Sequence, residues 1–335
     1  MSTLTENLEL VKHAAGYEGW ADDMNANLDK IDVEFDSTFN STNLILNGDM
    51  RIAQRGTSFL ATSGNYLTLD RWRLTSPGMA SERTTLSDGS YGLRVKKNTS
   101  TTPFQSLYQQ IEIPAWLAGQ TVVLSGVVKF NIPSDSAYVF CSWKNGGAIN
   151  VNWVHFGVDR TNTTDEQEFS YSFQLGTPTD SDYFIIRFLG NWEIGTVDYD
   201  FTISKVQLTL GSTTYHFKPR PIGQELALCQ RYYKKIGATA QYQGMGPNGM
   251  YQLDNLGSAQ MPLPVPMRTT PNIEINDLIA WDGGSNIAVT NIATNYSTPD
   301  TLRFNFSVVS GGIQYRPVSI CANSANSYIS LDAEL

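Results

Sequence analysis

The feature that most constrains this chain is a strict alternation of apolar and polar residues in several short segments. Apolar residues occupy every second position in 169–175, 302–308 and 329–335. Successive side chains of a β-strand point to opposite faces, so this pattern is typical of strands with one buried face. Because these segments are short and separated by turns rich in Gly, Asn, Asp and Ser, we expect a mainly β protein with antiparallel sheets.

Residues 44–218 are predicted to form an antiparallel, jelly-roll-like β-sandwich. Residues 183–189 are apolar at both parities, which indicates a central strand that is covered on both faces. In residues 199–210 the apolar positions change from odd to even after Ile203. A β-bulge, or a strand that crosses between two sheets, explains such a change.

Residues 1–43 form a separate N-terminal segment, in which an apolar stripe predicts an amphipathic helix. The stripe advances by four, four, three and four residues and consists of Trp20, Met24, Leu28, Ile31 and Phe35. A helix this short is marginal in water by itself, so the stripe needs a partner. Three partners are open: the β domain that follows, two further copies of the chain in a trimer, or a groove on another protein.

A connector, a helix and a second, smaller β domain are predicted for residues 219–335. Two prolines within 217–223 favour an extended connector. Residues 224–235 are predicted to be helical, because Glu225 lies in the first turn and two lysines lie in the last, as the helix dipole prefers.

Charge and hydropathy exclude several classes of partner. The chain has 335 residues, of which 23 are basic and 32 acidic, and its formal net charge is −9. We expect no nucleic-acid partner, because nucleic-acid affinity rests on Lys and Arg side chains that neutralise phosphates. No run of about 18 apolar residues occurs, so membrane insertion is not expected. The first ten residues have neither a basic nor an apolar region, so a classical secretory signal peptide is not expected.

The three cysteines, Cys141, Cys229 and Cys321, are odd in number and far apart in the chain. Disulfide frameworks carry even numbers of closely spaced cysteines, and zinc sites carry C-x-x-C pairs. We therefore expect reduced thiols in a chain that folds in a reducing cytosol.

Enzyme motifs are missing from the sequence, which has neither a nucleophile elbow nor a phosphate-binding loop. Only three histidines occur, His13, His155 and His216, so a histidine-centred triad or metal site is not expected. His155 lies in an aromatic strand and is interpreted as structural. We predict no catalytic residue, no metal and no cofactor.

Four aspartates form the closest acidic pairs: Asp180, Asp182, Asp198 and Asp200. Asp-x-Asp at the end of a loop or strand most often stabilises a turn through side-chain hydrogen bonds to the backbone, and this is the favoured interpretation. Calcium coordination and two-carboxylate glycoside hydrolysis are the alternatives.

Three tryptophans of the predicted sandwich form a candidate glycan platform: Trp143, Trp153 and Trp192. Flat indole faces stack on sugar rings, and Trp143 and Trp192 lie close to predicted turns, which favours exposure. The competing interpretation is packing in the core or in an interface, because Trp is largely buried on average.

Four segments, in the same order, resemble segments of bacteriophage tail-fibre and receptor-binding tail proteins. Residues 19–32 are similar to the G-W-x-x-x-x-N-x-N-x-x-x-[IL]-D segment near the N-terminus of that family. Residues 44–56, followed by 69–72, resemble the opening of its carbohydrate-module-like sandwich. Residues 217–234 are similar to the linker and helix that follow, and 265–271 to a segment of the next domain.

This resemblance implies a homotrimeric virion protein that carries no catalytic residue. Its N-terminal segment would attach to another virion protein of the tail or of the portal region. Its β domains would face a glycan of the host surface. The expected location is a tail appendage of the virion, assembled in the host cytoplasm and released by lysis.

Three functions follow from these observations. The first is a non-enzymatic tail fibre or short spike that recognises host glycans. The second is a structural or decoration protein that contacts only other virion proteins. The third is a tailspike-like hydrolase that degrades polysaccharides.

Overall fold

The protein is described from a computed structural model, and the structural statements below refer to the residues that it describes. These residues are 3–4, 11–12, 22–28, 30, 43–60, 68–75, 78–97, 106–112, 117–132, 138–143, 154–155, 158–159, 161–175, 184–189, 200–293 and 296–334. For 3–4, 11–12, 138–143, 154–155 and 189 the description covers the backbone alone.

The described elements are mostly short strands, as the alternating pattern predicts. In chain order they are β1 (Thr3–Leu4), β2 (Val11–Lys12), α1 (22–28), β3 (Ser58–Leu60), β4 (Arg73–Leu74), β5 (Met79–Thr85), β6 (Tyr91–Lys97), β7 (Ser106–Ile111), β8 (Thr121–Phe130), β9 (Tyr138–Trp143), β10 (Val154–His155), β11 (Gln167–Gln174), β12 (Phe184–Leu189), β13 (Asp200–Leu210), α2 (Ile222–Gln230), β14 (Tyr233–Gly237), β15 (Gly244–Tyr251), β16 (Leu256–Pro262), β17 (Asn272–Asn276), β18 (Leu278–Trp281), β19 (Asn286–Ala293), β20 (Thr301–Val308), β21 (Pro317–Ala322) and β22 (Tyr328–Asp332).

Two antiparallel sheets form a sandwich in the first part of the chain. The strand orders are β10-β9-β12-β7-β4 and β11-β8-β13-β6-β5-β3. One cluster of buried apolar side chains fills the space between them and includes Leu93, Leu124, Phe188 and Phe201, each at most 1% exposed. The predicted mainly β fold with a jelly-roll-like sandwich is confirmed.

Strand β12 confirms the prediction of a central strand that is covered on both faces. It lies between β9 and β7 in the five-stranded sheet. The consecutive side chains of Phe184, Ile185 and Ile186 are all buried, although they point to alternate faces.

A β-bulge in β13 explains the change of parity after Ile203. The register of β13 against β8 shifts between Ser204 and Gln207. Lys205 has a left-handed φ of 50°, and the N–H of Val206 donates to the carbonyl of Gly48 at 3.0 Å. The extra residue lets both Ile203 and Val206 face the core.

The C-terminal part of the chain consists of a closed barrel and a three-stranded sheet. The barrel order is β15-β16-β20-β19-β18-β21, and the sheet order is β14-β22-β17. Only Asp277 separates β17 from β18, so the sheet adjoins one end of the barrel. The turns at 252–255, 282–285 and 309–316 lie at the opposite end, because they join the other ends of the same strands.

The predicted N-terminal helix is present as α1, although most of its apolar stripe lies outside the described residues. Met24 and Leu28 are 50% and 54% exposed, so the described part of the chain does not bury them. Trp20, Ile31 and Phe35 lie outside the described residues. No helix in the described part is long and apolar enough to span a membrane.

Helix α2 is shorter than predicted. It ends at Gln230, with Arg231 as its C-cap, whereas the prediction extended it to residue 235. The two lysines assigned to its last turn, Lys234 and Lys235, belong to β14 and pair with β22. The physical reason is tertiary: the neighbouring Tyr233 is buried, and pairing with β22 outweighs a weak helix propensity.

Glu225 joins the start of α2 to the start of the sandwich and is 3% exposed. Its carboxylate accepts a hydrogen bond from the backbone N–H of Asn47 and pairs with Arg220 at 2.9 Å. Arg220 also donates to the carbonyl of Ile45 at 3.1 Å. The sequence pattern assigned Glu225 to the helix dipole, but its main contact is with the other half of the protein.

A buried ion-pair cluster joins the sandwich to the last residues of the chain. The side chains of Arg71 and Glu334 are 1% and 3% exposed, and they form an ion pair. Arg55 pairs with Glu334 and with Asp332, each at 3.3 Å. Arg71 also donates to the carbonyl of Gln110. One carboxylate therefore lies between two guanidinium groups, which offsets the cost of burying them.

Two tyrosine rings cover these guanidinium groups. Arg55 lies 3.5 Å from the centre of the Tyr233 ring, and Arg71 lies 3.5 Å from the centre of the Tyr232 ring. Burial raises the pKa of Tyr232 to about 12, so its hydroxyl stays neutral. Cation–π contacts of this kind contribute about 2 kcal/mol when the partners are desolvated.

Two of the cysteines are reduced and buried. Cys229 lies in α2 and Cys321 in β21, and both are free thiols. Burial raises the pKa of the Cys229 thiol well above its usual range and also raises the pKa of Cys321. Cys141 lies in β9, where the backbone alone is described.

We predict that Glu334→Gln lowers the free energy of unfolding by about 3–5 kcal/mol, because the carboxylate that pairs with the buried Arg71 and Arg55 becomes a neutral amide. Urea unfolding followed by circular dichroism measures the change. The control is Glu82→Gln, since the Glu82–Arg94 pair is about a third exposed and should contribute far less. Equal, small losses for both variants would contradict a structural role for the buried cluster.

We also predict that Gly48→Ala destabilises the sandwich by about 1–3 kcal/mol. A Cβ atom at Gly48 would lie 2.0 Å from the carbonyl oxygen of Val206, so the bulge would have to shift. Gly223→Ala is the matched control, because a Cβ atom there meets nothing within 4 Å and Ala favours the helix. A thermal unfolding midpoint that falls for both variants alike would argue against this close contact.

Candidate functional site

A cleft lies on the outer face of the six-stranded sheet, where uncharged polar side chains replace the apolar ones of the core. Ser125 pairs in register with Ser170 of β11 and with Gln207 of β13. The flanking Leu124 and Leu208 point into the core. Because side chains alternate along a strand, this row of three polar residues faces away from the core.

The segment after β13 folds back over this face and forms one wall of the cleft. The amide of Gln207 donates to the hydroxyl of Ser125 at 3.1 Å and to the carbonyl of Tyr215. A hydrogen bond between the hydroxyls of Ser170 and Thr214 adds a second connection. Tyr215 is buried against the sheet, so the wall is held by both packing and hydrogen bonds.

The β-bulge forms the second wall. The left-handed conformation of Lys205 carries its side chain to the β5–β6 turn, where its ammonium pairs with Asp88 at 2.6 Å. Hydrogen bonds from the Lys205 ammonium and from Ser90 lower the pKa of the Asp88 carboxyl. The hydroxyl of Ser204 donates to the carbonyl of Tyr91. These contacts hold Tyr91 beside the bulge.

Two arginines support the third wall. Arg51 pairs with Asp49 and donates to the carbonyl of Arg220 at 2.6 Å. Arg83 donates to the carbonyl of Arg51 at 3.1 Å, and its guanidinium lies 4.4 Å from the centre of the Tyr91 ring. The guanidinium of Arg83 therefore helps to hold the Tyr91 ring in its orientation.

The cleft has a volume of about 620 Å³, which is within the usual range for small-molecule sites. Its lining residues are Asp49, Arg51, Gly89, Ser90, Tyr91, Ser125, Gly126, Val127, Glu168, Phe169, Lys205, Gln207, Thr214, Tyr215, His216, Phe217 and Pro219.

The chemistry of the cleft combines two accessible rings with free polar groups. Tyr91 is 36% exposed, and Phe217 is half-buried. Glu168 and His216 are exposed and make no side-chain hydrogen bond or ion pair with any described residue. The cleft can therefore contact an apolar ring face while it offers hydrogen-bond donors and acceptors to hydroxyl groups.

The predicted glycan platform stays a prediction. Trp143 ends β9, where its backbone pairs with Phe184, but its side chain is not among those described. Trp153 and Trp192 lie outside the described residues. The predicted attachment stripe is also untested, since only Met24 and Leu28 of its five residues are described.

Of the residues considered for acid or histidine chemistry, two are described with their side chains. Asp200 forms a bidentate pair with Arg94, at 2.8 and 2.6 Å, across β13 and β6. His216 lines the cleft. Among the described residues, no group of three or more His, Cys, Asp or Glu side chains is arranged to hold a metal ion. The remaining three aspartates of the acidic pairs, Asp180, Asp182 and Asp198, lie outside the described residues.

Sequence reasoning missed most of the cleft, including Tyr91, Arg51, Glu168 and Phe217. One signal did point to it, because the change of parity after Ile203 marks the bulge and bulges are frequent beside functional sites. The other lining residues come from separate segments of the chain, and no spacing in the sequence connects them.

The sequence matches no protein-family model, and no curated protein matches it. Several solved structures match part of the fold. The CBM22-1 xylan-binding domain of Paenibacillus barcinonensis Xyn10C is 11% identical with a TM-score of 0.30, over 47% of this chain and 94% of that domain. The CBM22-1 and GH10 modules of a Clostridium thermocellum xylanase, complexed with xylohexaose, are 15% identical with a TM-score of 0.29, over 49% and 30% of the two chains.

A third match is the enzymatically active domain of tailspike protein 4 of bacteriophage CBA120. It is 16% identical with a TM-score of 0.30, over 50% of this chain and 21% of that one. At TM-scores of this size, the likeness establishes neither a common fold for the whole chain nor a common ligand.

Proposed function

We propose that the cleft of the sandwich binds a glycan. The observation that carries this proposal is the combination of the accessible Tyr91 and Phe217 rings with the free polar side chains of Glu168 and His216 in one cleft. Sugars present C–H groups on their ring faces and hydroxyl groups at their edges. Aromatic side chains match the faces, and carboxylate, imidazole and amide groups match the hydroxyls.

The charge of the cleft favours a sugar that carries little charge. The cation of Arg51 is offset by Asp49, and the cation of Lys205 is offset by Asp88. Glu168 adds a negative charge, and the chain as a whole carries −9. A strongly anionic polysaccharide would therefore meet no net attraction.

We propose binding without hydrolysis at this cleft. Glycoside hydrolysis needs two carboxyl groups, one of which acts as an acid while the other acts as a base or nucleophile. Among the described residues, the carboxylates that line the cleft are Asp49 and Glu168. Asp49 is engaged by Arg51, and Glu168 makes no ion pair with a described residue.

We infer further that the protein is a phage virion appendage, a tail fibre or short spike, which attaches through its N-terminal segment and acts as a homotrimer. The support is the order of the four segments that resemble this family, together with the exposed Met24 and Leu28 of α1. Three weak glycan sites on one trimer would bind a surface more tightly than a single site, because binding at one site raises the effective concentration of glycan at the other two.

The first test of glycan binding is Tyr91→Ala. We expect the affinity of the full chain for a host-surface polysaccharide to fall by about tenfold, because one stacking ring is lost. Isothermal titration measures the affinity. Tyr296→Ala is the matched control, since Tyr296 is also an exposed ring with an arginine nearby, in its case Arg303 at 5.2 Å. Equal affinities for Tyr91→Ala and the unmodified protein would contradict binding at the cleft.

The same titration, together with a reducing-sugar assay on the polysaccharide, separates the rival functions. Release of reducing ends from the polysaccharide would favour a hydrolase. A folded protein that binds no host polysaccharide would favour a decoration role, in which only other virion proteins are contacted.

The attachment role predicts that deletion of residues 1–40 abolishes incorporation into phage particles and leaves the β-sheets folded. The reason is that the deletion removes the apolar stripe but none of the strands of the sandwich or the barrel. Immunoblotting of purified particles measures incorporation, and circular dichroism checks the fold. Normal incorporation of the truncated chain would show that another part of the protein makes the attachment.

A further inference from the structure

The barrel wall carries an exposed apolar strip near the end that is remote from the three-stranded sheet. Trp281 and Met250 are each 48% exposed, and Tyr315 is 73% exposed. Pro317 is also exposed and pairs with Met250. We call these four residues the barrel strip. Exposed apolar surface that is concentrated in one area commonly marks a binding site.

Strand registers show that the barrel strip is continuous. Trp281 pairs with Ser319, two residues along β21 from Pro317. Tyr315 follows two residues further, in the turn before β21, so the backbone from Ser319 to Tyr315 spans at most about 14 Å. The residues between Trp281 and Tyr315 on this surface are the apolar pair Met250 and Pro317.

The side chains of the barrel strip in β18, β15 and β21 point outward, away from the barrel core. Ala280, Tyr251 and Val318 belong to the core. Trp281, Met250 and Pro317 each lie next to one of them in sequence, and adjacent strand residues face opposite sides. The barrel interior is already filled, so the strip is not a displaced part of the core.

Two contacts hold the ends of the barrel strip in position. Arg316 pairs with Asp282 at 3.3 Å, and these are the residues that directly follow Tyr315 and Trp281. Tyr315 has a left-handed φ of 67°, and its N–H donates to the carbonyl of Tyr251 at 2.8 Å. A left-handed backbone costs a non-glycine residue about 1 kcal/mol or more, and here it displays a ring to solvent.

The strand neighbours of Trp281 are polar and uncharged. Asn286 is the cross-strand partner of Trp281, is exposed, and makes no side-chain hydrogen bond with the described residues. On the other side of Trp281, the hydroxyl of Ser319 donates to the amide oxygen of Asn248 at 2.7 Å. The nearby charges of Arg316 and Asp282 neutralise each other.

We propose that the barrel strip is a second carbohydrate site, which takes a neutral oligosaccharide along the line from Trp281 to Tyr315. The two rings stack on sugar faces at the ends of the line, and Met250 and Pro317 contact C–H groups between them. The amides beside Trp281 bind hydroxyl groups. An acidic oligosaccharide is disfavoured, because the chain carries −9 and Arg316, the residue after Tyr315, is paired with Asp282.

The barrel strip and the cleft of the sandwich share no residue, so each can be tested without the other. The full chain is labelled with a fluorophore and applied to an array of neutral and acidic glycans. The variants are Trp281→Ala, Tyr315→Ala, Tyr315→Phe and the cleft variant Tyr91→Ala. We expect a set of neutral glycans whose signal falls fivefold or more with either alanine variant and is kept by Tyr315→Phe and by Tyr91→Ala.

Tyr242→Ala is the matched control. Tyr242 is also exposed and also has a φ of 67°, but it precedes β15 at the other end of the barrel. It should leave the array unchanged, and the unfolding temperatures of the Trp281, Tyr315 and Tyr242 variants should match that of the unmodified protein, because these three side chains are largely exposed.

Two results would overturn the proposal. One is an array on which no neutral glycan depends on Trp281 or Tyr315, even if signals that depend on Tyr91 remain. The other is a change of oligomeric state in sedimentation velocity with either alanine variant and no change on the array, since the strip would then be a contact between copies of the chain.

Discussion

The burial of two guanidinium groups against one carboxylate fixes how the sandwich meets the C-terminal sheet. A charge that leaves water costs several kcal/mol, and Glu334 offsets this cost for both Arg71 and Arg55 because it pairs with each of them. A buried ion pair is favourable only at short distances and suitable angles, whereas an apolar contact tolerates small shifts of one surface along the other. A second ion pair reaches the cleft: the guanidinium of Arg220 binds Glu225, and the backbone carbonyl of Arg220 accepts a hydrogen bond from Arg51 in the cleft wall.

Those parts of the fold that follow from local periodicity could be predicted from the sequence. A strand with one buried face must alternate, and a central strand must be apolar on both parities, so β11, β20 and β12 were all predictable. The bulge in β13 was predictable for the same reason, since an extra residue shifts the parity of every residue after it.

The rest depends on contacts between distant residues, which leave no local pattern. Arg71 and Glu334 are 263 residues apart, and the residues around each of them form no pattern that predicts their pairing. The closure of the barrel is a property of six strands together and not of any one of them. The end of α2 was mispredicted because two lysines suit a helix terminus as well as a strand, and only the pairing with β22 decides between them.

The state of the buried cysteines has a consequence for where this protein can work. Disulfide exchange and oxidation proceed through the thiolate, and a raised pKa leaves little thiolate at neutral pH. Cys229 and Cys321 are therefore poor substrates for peroxide or glutathione. Transfer from a reducing to an oxidising compartment should therefore leave the buried thiols of Cys229 and Cys321 chemically unaltered.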